Sequence, residues 1–426
     1  HMDVSMHYSD LSYGVYLPTV TFTTTNPLGW FTKEMRIAQL AEQGFTGFYE
    51  ADFADNITDI YHDAFLGDKK VCVVTINKVT DIYQSAFKNC SNLRAVTLDT
   101  AVDTNNKYKL TTLGNNAFEG CSALKQLYIP DSVTDIAHSL CKGCTNLEVA
   151  VMGYGIKRNN ENAWIGTNAF DGCSKLKYFI IPDTVTSVGE LAFRNCSSLE
   201  HLLVPETITT LAYNACTSIN SGCIVTLPDT ASMPNSKFNN NTFRRYDVVV
   251  FNPNGSELTY GEVNTQTSGI TGYYKATFNN TSSTTFTTFS NQCFRTSMTN
   301  NDKLVAVSIP STVTTIGYSC FREQELLSVY IPKAVSTLKT YQDLNRYVAT
   351  FMGSELYQLV LESGGTHNLL YAGGDDAAHC QNCSNLSAVI MHPHISRLAD
   401  SLFRNCTKLQ LVNIFQKNAD TTFSNC

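Results

Sequence analysis

A repeated unit of about 23 residues constrains the fold of this chain more than any other sequence feature. Three segments are near copies of one another: 117–124 (AFEGCSAL), 169–176 (AFDGCSKL) and 192–199 (AFRNCSSL). Their cysteines keep a constant spacing, since Cys121 and Cys144 are 23 residues apart and so are Cys173 and Cys196. A unit this short cannot bury a hydrophobic face alone. The repeat therefore predicts stacked turns of a solenoid.

Each unit contains three short blocks in a fixed order. The Ala-Phe-x-x-Cys block leads into an alternating strand that ends in Pro, as at 127–130 (LYIP), and then into a block such as 133–136 (VTDI). Proline lacks the N–H that a sheet ladder needs, so it ends the strand. In one unit the predicted inward side chains are Ala117, Phe118, Leu124, Leu127, Ile129, Val133 and Ile136. Stacked units then align their strands into a parallel sheet.

Segments 170–176 (FDGCSKL) and 181–188 (IPDTVTSV) resemble the BspA-type leucine-rich repeat of surface proteins from gut and oral bacteria and some protozoa. The resemblance covers residues 56–222 and 293–426, with gaps. It implies an α/β solenoid, a leucine-rich-repeat right-handed superhelix of about ten turns with a parallel β-sheet on one face. It also implies a cell-surface or secreted location, a binding role that is often adhesion, and neither catalytic residues nor a cofactor.

Departures from the repeat predict four regions. They are residues 1–55 (tag remnant and N-terminal cap), 56–223 (repeat array), 224–292 (irregular β-rich insertion or degenerate repeats) and 293–426 (second repeat block, irregular at 338–379). The cap is expected to contain a helix from Lys33 to Gln43. Strands are predicted over 246–251 and 273–278. An export signal is expected to have preceded His1-Met2, which is interpreted as a cloning remnant.

Fifteen cysteines, including the pairs Cys141/Cys144 and Cys380/Cys383, invite a metal or redox interpretation. Their register argues against it. Nine cysteines occupy the Cys position of the repeat: 90, 121, 144, 173, 196, 216, 383, 406 and 426. Cys141 and Cys380 take the Phe position. Buried cysteine behaves as a small hydrophobic residue, so we expect reduced, structural thiols and no metal site.

Catalytic signatures are absent from the sequence. The nine histidines are scattered, and neither G-x-S-x-G nor H-E-x-x-H occurs, so an enzyme would have to be hidden in the insertion. The net charge of −7 comes without a basic block, which excludes a nucleic-acid footprint. No apolar run reaches the length of about 18 residues that a membrane helix needs, so no membrane insertion is expected within this chain.

The side chains between the inward leucines are predicted to point outward from the main sheet. Seven of them form the predicted stripe, a candidate site for an extracellular protein or glycan: Gln126, Tyr128, Val151, Tyr178, Ile180, His201 and Leu203. An exposed apolar and aromatic stripe commonly marks an interaction site. The stripe would be buried instead if the cap or residues 224–290 covered it, or if the alternation were displaced by one residue.

Two classes of function follow from the sequence. One is an adhesin-like protein without catalytic activity, which binds through the solenoid face. The other is a structural spacer or display module of a larger surface protein, with no ligand of its own. An exposed stripe favours the first and a covered stripe favours the second. The ligand and the oligomeric state are not indicated by the sequence.

Overall fold

A computed structural model describes most of the chain and divides it between Phe243 and Arg244 into two compact units. The residues it describes are 17–76, 78–98, 110–154, 163–229, 238, 241–279, 286–294, 303–339, 341–343, 346–348, 350–362, 379–391 and 402–414. Each unit is a stretch of leucine-rich-repeat solenoid, built mainly from short parallel strands. The repeat therefore predicted the fold class correctly.

The first unit, residues 7–243, contains sixteen of the described strands and one helix, α1 (Lys33–Glu42). The strands are β1 (Thr19–Phe22), β2 (Trp30–Phe31), β3 (Tyr49–Phe53), β4 (Asp59–Ile60), β5 (Val71–Thr75), β6 (Asp81–Ile82), β7 (Ala95–Thr97), β8 (Thr112–Leu113), β9 (Gln126–Ile129), β10 (Val149–Met152), β11 (Ala163–Ile165), β12 (Tyr178–Ile180), β13 (Val185–Val188), β14 (His201–Leu203), β15 (Thr210–Leu211) and β16 (Ile224–Pro228).

Two sides of each turn carry parallel ladders. On the main side the strand orders are β1-β3-β5-β7, β9-β10 and β12-β14-β16. On the second side they are β2-β4-β6-β8 and β11-β13-β15. The second ladder uses two-residue to four-residue strands, which come from the V-x-x-I block that the sequence predicted to point inward. A parallel sheet was predicted on one face of the solenoid. The structure instead has parallel ladders on two sides of the turn.

The third side of each turn is closed by backbone hydrogen bonds through the Ala-Phe block. The Phe87 N–H donates to the Ala117 carbonyl at 2.9 Å, and the Phe118 N–H donates to the Leu140 carbonyl at 2.9 Å. The residue before the Cys position has a positive φ, for example Asn89 at 61° and Gly120 at 72°. Glycine and asparagine tolerate that left-handed conformation best, which explains their recurrence before the cysteine.

The interior is a continuous hydrophobic cluster in which equivalent residues of neighbouring turns touch. The phenylalanine rings are stacked, with centroids 4.8 Å apart for Phe65 and Phe87 and 5.6 Å apart for Phe87 and Phe118. Cys141 takes the Phe position, as predicted, and its N–H donates to the Ala169 carbonyl as a phenylalanine N–H would. Burying such a side chain stabilises the fold by roughly 1.5–3 kcal/mol, and only stacking makes that burial possible.

Helix α1 confirms the helix predicted from Lys33 and ends one residue earlier than expected. The Thr32 hydroxyl accepts a hydrogen bond from the Met35 N–H at its start. The helix is held to the repeats by Arg36, which forms a buried ion pair with Asp68, while the Tyr49 hydroxyl donates to the same carboxylate at 2.7 Å. Strand β1 pairs in parallel with β3, so the ladder already includes residues 19–22.

The second unit has a core of its own. Its elements are β17 (Thr242–Phe251), β18 (Glu257–Leu258), α2 (Tyr260–Gln266), β19 (Tyr273–Phe278), β20 (Thr288–Phe289), β21 (Lys303–Val307), β22 (Thr315–Ile316), β23 (Ser328–Ile331), β24 (Thr337–Leu338), β25 (Tyr341–Asp343), β26 (Arg346–Val348), β27 (Gln358–Leu361), β28 (Ala388–Met391) and β29 (Leu411–Ile414). The parallel ladders run β17-β19-β21, β23-β27-β28-β29 and β18-β20-β22-β24, while β25 and β26 form an antiparallel pair.

The strands predicted at 246–251 and 273–278 are confirmed as parts of β17 and β19. The two strands pair in parallel, with Tyr246 opposite Tyr273 at one end and Phe251 opposite Phe278 at the other. The irregular region therefore keeps the parallel pairing of the repeats. Helix α2 between the two strands was not predicted. Its start is fixed by a capping box, in which the Thr259 hydroxyl and the Glu262 carboxylate bond reciprocally to backbone N–H groups. The proposed boundaries at 55, 223 and 292 stay predictions.

We predict that Gly114→Ala destabilises the first unit because the turns approach closely there. A Cβ at Gly114 would lie 2.5 Å from the backbone nitrogen of Gln84 and 2.5 Å from the carbonyl carbon of Tyr83. Overpacking of this kind costs about 1–3 kcal/mol, measurable by urea denaturation. Gly47→Ala is the matched control, since nothing lies within 4 Å of its Cβ position. Equal stability of the two variants would contradict the close approach.

Candidate functional site

The predicted stripe lies on β9, β10, β12 and β14, in the register that the repeat requires. Tyr128 is opposite Val151, and Ile180 is opposite Leu203. The alternation is correct, because Leu127 and Phe179 belong to the core cluster while their strand neighbours in the stripe do not. The strands therefore bring the predicted residues together on the face of the main sheet that points away from the core.

The exposure expected for this stripe is wrong. Tyr128, Val151, Tyr178, Ile180 and Leu203 are 4%, 0%, 1%, 3% and 6% exposed. Gln126 and His201 are half-buried. Burial also raises the pKa of the Tyr178 hydroxyl well above its usual value. The face away from the core is thus covered within the chain, and alternation along one strand cannot reveal what packs over it. Ligand binding by these seven residues stays untested.

The outward face of the main side is open over β1, β3 and β5, and it closes at β7, where Thr97 is buried. We call Thr19, Thr21, Glu50, Asp52, Val73 and Thr75 the open face. Thr19 and Thr21 are exposed, and the other four are half-buried. Thr21 lies opposite Asp52, and Asp52 lies opposite Thr75, so hydroxyl and carboxylate groups alternate across three strands. Burial and, after it, the charge of Asp52 raise the pKa of Glu50. Sequence reasoning missed this face because the search favoured apolar residues.

In the second unit the accessible apolar residues on the equivalent face belong to β17. Val248 and Val250 are 38% and 45% exposed. Their strand neighbours Val249 and Phe251 turn towards the core, in line with the alternation. Beyond β17 the face closes again, since Val305, Val360 and Ile390 are fully buried. Val248 and Val250 are therefore a second candidate binding surface beside the open face.

Fourteen cysteines lie in the part of the chain that the structure describes, and each is a buried free thiol. Their positions in the repeat explain why they are buried, as predicted. The Cys144 thiol donates to the Phe118 carbonyl at 3.1 Å, and the Cys121 thiol donates to the Phe87 carbonyl at 3.2 Å. The same contact joins Cys383 to Phe351 at 3.1 Å. The cysteine is thus a core residue with one polar bond to the preceding turn.

The four cysteines of the two CxxC pairs lie in the hydrophobic core. Among the described residues, no group of three or more His, Cys, Asp or Glu side chains is arranged to hold a metal ion. Burial raises the pKa of the Cys216 and Cys223 thiols to about 12. The pKa of Cys383 is lowered by hydrogen bonds from Cys380 first and from Ser354. Most of these thiols are therefore protonated and unreactive at neutral pH.

One buried histidine stands apart from the rest of the core. His379 is 1% exposed, and within the described residues neither ring nitrogen has a hydrogen-bond partner. It lines a small apolar cavity with Phe351, Met391 and Phe403. Burial lowers the pKa of His379 to about 4. The sequence also contains a close pair of histidines, His392 and His394, and the acids Asp375 and Asp376, and all four lie outside the described residues.

No described helix has the length and apolar character needed to cross a membrane.

Comparison with known families identifies the repeat. The model of the BspA type leucine rich repeat region matches in six copies, at residues 17–148, 163–248, 256–343 and 377–426. These ranges include far more than half of the chain. The chain belongs to the BspA-type leucine-rich repeat family. Comparison with curated proteins gives no match.

Solved structures that resemble this BspA-type chain are also leucine-rich repeat proteins. A leucine rich cell surface protein from Faecalibacterium prausnitzii shares 17% identity, covering 86% of this chain and 84% of that one, with a TM-score of 0.26. A leucine-rich repeat protein from Bacteroides ovatus shares 18% (84% and 82%, TM-score 0.30). The pneumococcal vaccine antigen PcpA shares 14% (94% and 95%, TM-score 0.28). At these scores they add nothing to the family match.

We predict that Cys144→Ala destabilises this BspA-type repeat more than Cys216→Ala. Both side chains are buried, but among the described contacts the Cys144 thiol donates to the Phe118 carbonyl and the Cys216 thiol donates to none. The lost bond should add about 1 kcal/mol to the cost of the removed sulfur. Chemical denaturation of the two variants measures the difference. Equal losses would show that the thiol bond contributes nothing.

We further predict a loss of stability between pH 6.5 and pH 4 that depends on His379. The folded-state pKa of His379, about 4, is below the ordinary value of 6.5. Between these two pH values the unfolded chain binds a proton that the folded chain does not bind. Stability falls as the pH falls through this window, by up to about 3 kcal/mol. Urea denaturation should show a flatter profile for His379→Phe. His62→Gln, at an exposed position, is the control and should keep the wild-type slope.

Proposed function

We propose that this chain is a non-catalytic binding protein of the cell surface or the secreted fraction, which recognises a protein or glycan. Its family supports this, since the resemblance to BspA-type repeats implies a surface location and a binding role. The observation that carries the proposal is the open face of β1, β3 and β5, the first three main strands. There the outward side chains remain accessible, whereas the stripe farther along the same side of the first unit is buried.

The chemistry of the open face suits a polar macromolecular ligand. Thr19, Thr21 and Thr75 supply hydroxyl groups, and Glu50 and Asp52 supply carboxylates. Parallel strands at a spacing of about 4.8 Å hold these groups in fixed rows. Sites on strands keep their geometry better than sites on loops, because the backbone ladder fixes each side chain's origin.

The alternative is a structural spacer within a larger surface protein. One observation favours it: the apolar stripe from Tyr128 to Leu203, which would have been the strongest evidence for a ligand, is covered. A chain with its apolar faces closed can stack and extend without binding anything. The two functions differ in whether the open face has a partner.

The test is a binding screen of the folded chain on arrays of matrix proteins and glycans, with two matched variants. Thr21→Lys/Thr75→Lys places long cationic side chains on the open face. Val248→Lys/Val250→Lys places the same groups on the exposed valines of β17. We expect the first variant to lose at least about tenfold in affinity, equivalent to about 1.4 kcal/mol, and the second to bind as wild type. Circular dichroism checks that both variants fold.

The reverse result would move the site to the second unit. No ligand for the wild-type chain would favour the spacer. Tyr128→Ser/Tyr178→Ser is unsuitable for this screen, because both tyrosines are buried and their loss would destabilise the unit before it reported on binding.

A further inference from the structure

A row of aromatic rings follows the second side of the first turns, away from the open face. The Trp30 and Tyr61 rings are stacked, with centroids 5.1 Å apart and an angle of 20° between their planes. Tyr83 continues the row at 5.3 Å from Tyr61, and His62 lies 5.2 Å from Tyr83. The first three rings are half-buried and His62 is exposed, so the row is both fixed and accessible. Aromatic residues in a row on a solvent-facing edge are not required by the core.

Two carboxylates run parallel to this row on the same short strands. Asp59 of β4 lies opposite Trp30 of β2 and opposite Asp81 of β6. Burial and, after it, the charge of Asp59 raise the pKa of Tyr83, which places the acid beside the ring row. We call Trp30, Asp59, Tyr61, His62, Asp81 and Tyr83 the aromatic–carboxylate patch.

Neither acid forms an ion pair with a basic side chain of the described residues. Asp59 accepts a hydrogen bond from the Thr58 hydroxyl at 2.6 Å, and Asp81 accepts one from the Thr80 hydroxyl at 2.8 Å. Lys78 pairs with Asp55 instead. Across the described part of the chain, no Lys or Arg nitrogen lies within 4.0 Å of either carboxylate. The Tyr83 hydroxyl also hydrogen-bonds to Asp59. Asp59 is thus oriented by two hydroxyls and Asp81 by one, and each carboxylate retains acceptor capacity.

We propose that the aromatic–carboxylate patch binds arginine side chains of a cationic protein partner. A guanidinium group stacks on aromatic rings and donates paired hydrogen bonds to carboxylates, and this patch offers both within one strand spacing. A cation within about 6 Å of a ring centroid gains further from the ring quadrupole. The chain's net charge of −7 also attracts a basic segment. This surface is distinct from the open face, so the two proposals can fail separately.

A neutral glycan is the competing occupant, since sugars also pack on aromatic rings. The two carboxylates favour the cationic partner, because a sugar hydroxyl leaves both negative charges uncompensated in a half-buried setting. Arginine is preferred to lysine, because its planar guanidinium group can stack on the rings. The lysine ammonium group is a point charge and lacks a planar face.

The experiment uses Trp30 as the reporter. The chain has two tryptophans, so Trp164→Phe leaves Trp30 as the sole indole. In that background, the acetylated hexapeptide of alternating glycine and arginine is titrated at low ionic strength and Trp30 emission is recorded. Matched peptides carry lysine or the neutral isostere citrulline in place of arginine. We expect a saturable change with arginine, a weaker one with lysine and none with citrulline.

The decisive variant is Asp59→Asn/Asp81→Asn, which keeps the shape of both side chains and removes their charge. We expect it to bind the arginine peptide at least about tenfold more weakly. The control Glu190→Gln/Asp229→Asn removes the same charge from two exposed positions elsewhere in the unit and should bind within about twofold of the parent.

Equal binding by the asparagine variant and its parent would overturn the proposal. An equal loss in the control would also overturn it, because net charge alone would then explain binding. A saturable response to laminarihexaose that survives the asparagine changes would show a glycan platform instead. Thr21→Lys/Thr75→Lys should keep the arginine response, so failure of the open face is distinguishable from failure of this patch. Circular dichroism of every variant excludes unfolding.

Discussion

The contact between neighbouring turns is the constraint on which the rest of this structure depends. A turn of about 23 residues has three sides, and each side forms backbone hydrogen bonds to the next turn. The phenylalanine rings stack along the interior on their counterparts one turn away. Stability is therefore approximately a sum of interfaces between turns. Surface residues do not have to pack between turns, so they can form binding surfaces.

The sequence predicted the interior well and the surface poorly. Phe118 and Cys144 recur at fixed positions because a stacked interior accepts little else, so their burial could be deduced from spacing alone. Tyr128 and Tyr178 also obeyed the alternation, and the direction of each side chain was correct. Their burial could not be deduced, because it depends on contacts that the strand's own alternation does not specify. A periodic pattern reports which face a residue is on, and says nothing about what covers that face.

The two surfaces proposed for recognition arise from the same geometry. A short strand places one side chain inward and the next outward, so each ladder yields one row of core residues and one row of accessible residues. On the main side this gives the hydroxyls and acids of the open face. On the second side it gives Asp59 and Asp81 beside the rings of Tyr61 and Tyr83. Neither row was apparent beforehand, because two-residue strands such as Asp59–Ile60 are too short for a pattern search.

The buried thiols make the order of events during biogenesis important. The fourteen described cysteines are shielded from oxidants by the same stacking that holds the turns together, so protection begins only once neighbouring turns have packed. Before that point each thiol is an accessible nucleophile, and pairs such as Cys141 and Cys144 are close along the chain. A premature disulfide would occupy core positions in a geometry that the stack cannot accept. The stacked turns are therefore also what protects the thiols, so any opening of the stack exposes core cysteines to oxidants.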